Sequence, residues 1–242
     1  MSACYTFSLK RYEIFDLGGN PTAIILENVG KQDGIEIAKQ IMQAHPIVEQ
    51  VAIIESMNDE TCTFRMAGGE FCGNAIRAVA EYMRRTHGKE KSRITICGIE
   101  IDATSDGISS EISLPKKSLL VGKKDFYIIM NGINHAILMG EGDEAKAMDV
   151  KSKAEKIGLV GDAFGVMFVG ENLKINPFVW VTQAQTFFNE TACLSGSIAV
   201  AVALEKNLAD IIQPTGEIYR ISINNDKISA RGKVAFISEG VI

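Results

Sequence analysis

No stretch of the 242-residue sequence approaches the ~20 consecutive apolar residues that a membrane span needs. Neither sign of charge dominates. The 25 Lys and Arg stand against 30 Asp and Glu, a net charge of −5, which gives no electrostatic reason to expect nucleic acid or an anionic membrane as partner. The opening residues, Met1 to Asp16, lack a basic segment followed by an apolar one and predict no secretory leader. Low-complexity tracts and charge blocks are also missing. The cysteines Cys4, Cys62, Cys72, Cys97 and Cys193 are odd in number and irregular in spacing, unlike a disulfide scaffold. No CxxC pair or Cys/His cluster suggests zinc or another metal. His45, His87 and His135 form no triad or ligand pattern. The chain therefore reads as a cytoplasmic protein with free thiols.

What is present is ordinary globular material, 46% hydrophobic and 23% charged, long enough for one or two domains. Strand-like runs cover Tyr5 to Phe15, Ala23 to Leu26, Glu49 to Glu55, Thr61 to Met66, Ile94 to Ala103 and Ser109 to Leu114. Helical patterns cover Gly34 to Met42 and Cys72 to Arg85; Ile76, Val79, Ala80 and Met83 mark one face of the second. After Pro115 the order repeats. Strands are expected at Phe126 to Met130, Ala136 to Met139, Gly165 to Val169, Phe178 to Thr182, Glu217 to Ile223 and Lys233 to Ser238. Helices are expected at Ala145 to Ile157 and from Cys193 onward.

The halves match. Cys72 and Cys193 are 121 residues apart, half the chain, and the same shift lays Ala78-Val79-Ala80 on Ala199-Val200-Ala201. Ile198 to Leu204 are seven consecutive apolar residues, and a helix apolar all round must be buried all round. The expectation is an α+β fold of two pseudo-symmetric lobes, each a curled mixed or antiparallel sheet around a central helix. The lobes would be 1–116 and 117–242, with the last strand free to cross back to the first lobe.

In Phe71-Cys72-Gly73-Asn74-Ala75 and in Ala192-Cys193-Leu194-Ser195-Gly196-Ser197, a thiol opens a helix and small or polar residues follow. Helix openings leave N–H groups without internal partners and carry the positive end of the dipole, which suits a carboxylate. The same field lowers the pKa of a nearby thiol. Two such openings meeting across a cleft would hold one carboxylate between two thiols. One thiolate would take the proton from the adjacent carbon, the other thiol would return one to the opposite face, and the N–H donors would stabilise the enediolate-like charge. No metal or organic cofactor is needed. Free cysteine is more often a small buried hydrophobe, and that reading is kept for Cys4, Cys62 and Cys97.

These segments, with Gly19-Asn20 and Glu190-Thr191-Ala192-Cys193, resemble the diaminopimelate epimerase family of pyridoxal-phosphate-independent racemases and epimerases. Gly69-Glu70-Phe71-Cys72-Gly73-Asn74-Ala75, Pro177-Phe178-Val179-Trp180 and Gln213-Pro214-Thr215-Gly216 are similar to segments of its histidine racemases of metallophore biosynthesis. The resemblance implies Cys72 and Cys193 as the acid–base pair and a free amino acid, a small molecule, as substrate. It implies that Asn20, Asn74 and Asn134 orient the substrate and that Glu190 receives its ammonium. It also implies that backbone amides of Gly73, Asn74, Ser195, Gly196 and Ser197 hold the α-carboxylate. A homodimer stays open.

Diaminopimelate epimerases carry a Glu-Arg pair before the second cysteine, and the arginine grips the distal carboxylate. Here Thr182 to Phe188 contains no cation, and a buried carboxylate without a partner is costly. Histidine, or another amino acid without a distal carboxylate, is therefore expected, with Trp180, Phe187 and Phe188 as candidates for shaping a side-chain pocket or simply for core packing. Leu194 replaces the family's usual glycine. Diaminopimelate epimerase itself remains one alternative. A phenazine-biosynthesis-type isomerase with Glu70 as base is another, because Gly19-Asn20-Pro21 resembles that group. A carboxylate-binding protein without chemistry, and a Cys72–Cys193 disulfide switch, complete the set.

Overall fold

A computed structural model describes residues 9–242. Cys4 and the start of the first expected strand lie outside the described residues. Five helices are present among them: α1 (Lys31–Ala44), α2 (Gly73–His87), α3 (Lys116–Leu119), α4 (Glu144–Lys156) and α5 (Leu194–Ala203). Two sheets carry the rest. The larger has eleven strands, in the order Leu208–Ile212, Ile218–Ile223, Lys227–Lys233, Ser109–Pro115, Ile99–Ser105, Lys91–Ile96, Thr61–Met66, Gln50–Met57, Pro21–Ile25, Arg11–Asp16 and Ala235–Val241. The smaller runs Thr186–Asn189, Ile175–Val181, Ala163–Val169, Asn134–Met139, Tyr127–Met130 and Leu120–Lys124.

Most neighbours are antiparallel. The three parallel pairs are Pro21–Ile25 with Gln50–Met57, Thr61–Met66 with Lys91–Ile96, and Asn134–Met139 with Ala163–Val169. Parallel neighbours need a crossover, and α1, α2 and α4 supply the three in turn.

Helix α2 is buried from Gly73 to Met83 and packs on five strands of the large sheet, from Pro21–Ile25 across to Ser109–Pro115. It stops where Gly88 turns left-handed, behind Arg84, Arg85 and His87, which suit the negative end of the dipole. Helix α5 is buried from Leu194 to Ala201. Three strands of the small sheet face it from one side, and Leu208–Ile212, Ile218–Ile223 and Lys227–Lys233 from the other. Each central helix thus has strands wrapped around it, in a mixed α+β fold.

Several details differ from expectation. Ile94 to Ala103 is a hairpin rather than one strand, because Cys97 and Gly98 both take positive φ (51° and 70°), the geometry of a tight two-residue turn. Leu120–Lys124, Thr186–Asn189, Leu208–Ile212 and Lys227–Lys233 are additional strands. Ala235–Val241 pairs with Arg11–Asp16, and Lys227–Lys233 pairs with Ser109–Pro115. By sheet membership, all four strands after Leu208 therefore belong with the first sheet.

Candidate active site

The two thiols occupy equivalent backbone positions. Cys72 is the N-cap of α2 with φ −133° and ψ 109°, and Cys193 is the N-cap of α5 with φ −133° and ψ 107°. Each sulfur accepts a hydrogen bond from the N–H three residues on, Ala75 at 3.3 Å and Gly196 at 3.4 Å. Both line one cavity of ≈ 40 Å³, enough for a few waters. The helix openings touch. A side chain on Gly73 would place its Cβ 2.7 Å from the Leu194 Cδ2, so glycine is required there by close approach.

An amide and a carboxyl in series lie between the two sulfurs. The Cys72 thiol donates to Gln50 Oε1 (2.8 Å), and Gln50 Nε2 donates to Glu190 Oε1 (2.7 Å). The Glu190 carboxyl lies beside Cys193. Cys193 also sits 3.6 Å from the Ser195 hydroxyl, which is 3.2 Å from His135 Nε2. Burial lowers the pKa of His135 to about 3, so its imidazole is neutral.

The electrostatics reverse one expectation. Both thiols are held well above the ordinary cysteine range, by burial first; neighbouring carboxylates add to it, Glu190 for both and Glu70 for Cys72. The N–H bonds to sulfur pull the other way but are outweighed. Glu190 is pushed up to about 8, by burial and then by Glu49. Glu70 is pushed up to about 7, by burial and then by Asp162. Glu70 Oε2 and Glu190 Oε2 are buried without a hydrogen-bond partner.

The expected site residues divide. Gly73, Asn74, Glu190 and Ser195 line the cavity with the thiols. The Asn74 side chain is already occupied, donating to the Ala192 carbonyl and meeting the Tyr219 hydroxyl, so it ties the opening of α2 to the loop before Cys193. Asn20 is buried behind the cavity wall, donating to Glu49, which in turn accepts from the Thr191 hydroxyl. Asn134 lies outside the lining; its amide is spent on the Met130 N–H and the Leu159 carbonyl. The Gly196 N–H goes to the Cys193 sulfur and the Ser197 N–H to the Cys193 carbonyl, so both are already engaged. The donors left by helix geometry are those of Gly73, Asn74, Leu194 and Ser195, the first two positions of each helix.

Of the three aromatic candidates, Phe188 reaches the cavity. Trp180 stacks on Phe187 at 4.6 Å, and both join the cluster against α4. The cause is strand alternation: Val179 and Val181 face the cavity, so Phe178 and Trp180 face away. Gln50, Glu49 and Gln213 were missed as site residues. Gln213 is fully buried, accepts from the Cys193 N–H and donates to Ser197 Oγ. The signals available were a polar residue at the head of an apolar strand for Gln50 and a polar residue directly after the Ile211-Ile212 strand end for Gln213.

Residues 17–122 match the family model of the histidine racemase CntK N-terminal domain. A histidine racemase of Fusobacterium nucleatum subsp. nucleatum is 32% identical over 233 residues, 86% of each chain. A diaminopimelate epimerase of a Hydrogenobaculum species is 25% identical over 244 residues, again 86% of each. Among solved structures, a hydroxyproline epimerase from Agrobacterium vitis with bound trans-4-OH-L-proline superimposes with a TM-score of 0.64 at 8% identity, covering 98% of this chain and 93% of that one. No helix among the described residues is long and apolar enough to cross a membrane.

Proposed function

Because the chain belongs to the diaminopimelate epimerase family, in its histidine-racemase branch, and is therefore an amino-acid racemase, we propose that it racemises free histidine in the cytoplasm by a two-base reaction between Cys72 and Cys193. The observation that carries this reading is the pair of matched N-cap thiols on one cavity, joined through Gln50 and Glu190.

The substrate carboxylate lies between the two helix openings, held by the N–H groups of Gly73, Asn74, Leu194 and Ser195. Its ammonium meets Glu190, whose free oxygen lacks a donor. Burial is the larger reason that the neighbouring thiols are held up, but a cation there offsets the share that Glu190 adds, so substrate binding itself favours the first thiolate. That thiolate takes the α-proton, the carboxylate becomes enediolate-like under the four N–H donors, and the opposite thiol delivers a proton to the other face. The cavity is too small for an amino acid as it stands, so entry requires the lobes to part. The lobe division we adopt is 1–116 and 117–242, with Ala235–Val241 returning to the first. Diaminopimelate is disfavoured because Glu49, Glu70 and Glu190 face the cavity and its one lining cation, Lys39, is exposed. A phenazine-type isomerase would leave two matched thiols without a chemical role.

The test is incubation of the enzyme with L-histidine in deuterated water. Appearance of D-histidine carrying deuterium at the α-carbon is expected. Optical rotation that stays constant, with no exchange, would end the proposal.

A further inference from the structure

The mechanism uses Glu190 and leaves a second buried carboxyl unexplained. Glu70 is 8% exposed, lines the cavity, and its Oε2 has no partner. It stands at a different wall from Glu190. A Cβ on Gly68 would come within 2.5 Å of Glu70 Oε2 and 2.2 Å of Val181 Cγ1, so the missing side chain at 68 leaves the space that the carboxyl occupies. Ala184, from the turn after Val181, closes the same wall. Glu190 instead lies between Gln50 and Cys193. The charge that bears on Glu70 is another carboxylate, Asp162. An orphaned acceptor at this depth costs free energy unless a ligand supplies the donor.

We propose that Glu70 is a specificity-determining residue that accepts a hydrogen bond from a side-chain N–H of the substrate, the imidazole N–H of histidine. This assignment rests on the histidine-racemase reading and deepens it. The two orphaned carboxyls then have separate roles. Glu190, beside the reacting carbon, takes the ammonium, and Glu70 reads the far end of the side chain. A site built around such an acceptor rejects isosteres without the donor, because the acceptor is then left buried and unpaired.

Steady-state racemisation of L-histidine and its ring isostere L-thienylalanine is compared in the wild type and Glu70→Leu, which removes the acceptor. The variant is expected to lose about 10- to 100-fold in kcat/KM for histidine, mainly through KM, and to narrow the preference for histidine over thienylalanine. In the wild type, at least one of the two ring-N-methylated isomers of L-histidine is expected to be turned over far less well than histidine. A folded variant with an unchanged histidine-to-thienylalanine ratio overturns the assignment and leaves the racemase reading standing. Should the variant fail to fold, the methylated substrates decide, and equal turnover of both isomers and histidine by the wild type overturns it. A wild type inert toward histidine but active on another amino acid overturns the histidine reading and this assignment together.

Discussion

The openings of α2 and α5 have nearly the same backbone and very different surroundings. Cys72 and Cys193 differ by 2° in ψ and cap their helices with the same sulfur-to-N–H bond. Yet Cys72 gives its proton to a neutral amide, Gln50, whereas Cys193 sits beside a titrating carboxyl, Glu190, and a Ser195–His135 pair. Behind α2 lies a fully buried Arg77, its guanidinium over the Tyr219 ring at 4.8 Å; the same position of α5 is Ile198. The shared geometry goes with the 121-residue separation of the two cysteines in the sequence. The proposed reaction would account for the difference, since a substrate with one ammonium cannot present the same face to both thiols. Symmetry lives in the backbone, and handedness lives in the partners.

The largest effect comes from removing one thiol at a time. Cys72→Ala and Cys193→Ala should each lower racemisation by roughly 10²- to 10⁴-fold, the range for losing a positioned acid or base. Each variant keeps one base, on one face of the α-carbon. Each should therefore exchange the α-proton of a single enantiomer without inverting it, and the two variants should act on opposite enantiomers. Proton resonance of L- and D-histidine in deuterated water reads this directly. Exchange of the same enantiomer by both variants would break the face assignment.

Much of the fold is legible in the sequence, and the reasons are local. The seven apolar residues from Ile198 announce a helix surrounded on all sides. The small residues after each cysteine mark helix openings. What stayed hidden depends on contacts between distant residues. Gln50 opens an ordinary strand and meets Glu190, 140 positions away, across the cavity. Gly196 and Ser197 looked like carboxylate donors by position, but an N-cap thiol and carbonyl already use their N–H groups. Trp180 could be read as pocket wall or as core, and alternation sends it to the core on the α4 side. The lowered thiol pKa failed for a related reason: dipole arguments leave out the burial of both sulfurs, and after it the carboxylates that folding brings alongside.

The next effect concerns the titrating side of the comparison. Glu190 and Glu70 are raised to about 8 and about 7 in the fold, against about 4.3 in an unfolded chain. Between those values the native state holds protons that the unfolded state has released, so the contribution of these two carboxyls is greatest below about pH 4.3 and is lost as pH rises toward about 8, opposed up to about pH 6.5 by His135, which is neutral in the fold. The ligand-free melting temperature should decline across that window. Glu190→Gln should flatten the decline, and histidine, whose ammonium pairs with Glu190, should offset it. A wild-type melting temperature that rises from pH 6.5 to pH 8, above the range in which His135 contributes, would show that these carboxyls are ionised in the fold, and the electrostatic contrast between the two openings would lose its basis.

The smallest effect lies where the two helix openings touch. Gly73 admits no side chain because Leu194 Cδ2, Cβ and Cγ stand 2.7, 3.0 and 3.1 Å from where its Cβ would be. Gly73→Ala should destabilise by about 1–3 kcal/mol through overpacking, against a helix propensity that by itself favours alanine. Leu194→Ala removes the Cδ2 and Cγ contacts and creates a cavity of its own. In the double variant the two changes relieve one another, and denaturant unfolding should return a favourable coupling of about 1 kcal/mol. Strict additivity would mean that the helix openings part to admit the methyl group, and the touching geometry that places both sulfurs on one cavity would then be softer than the structure implies.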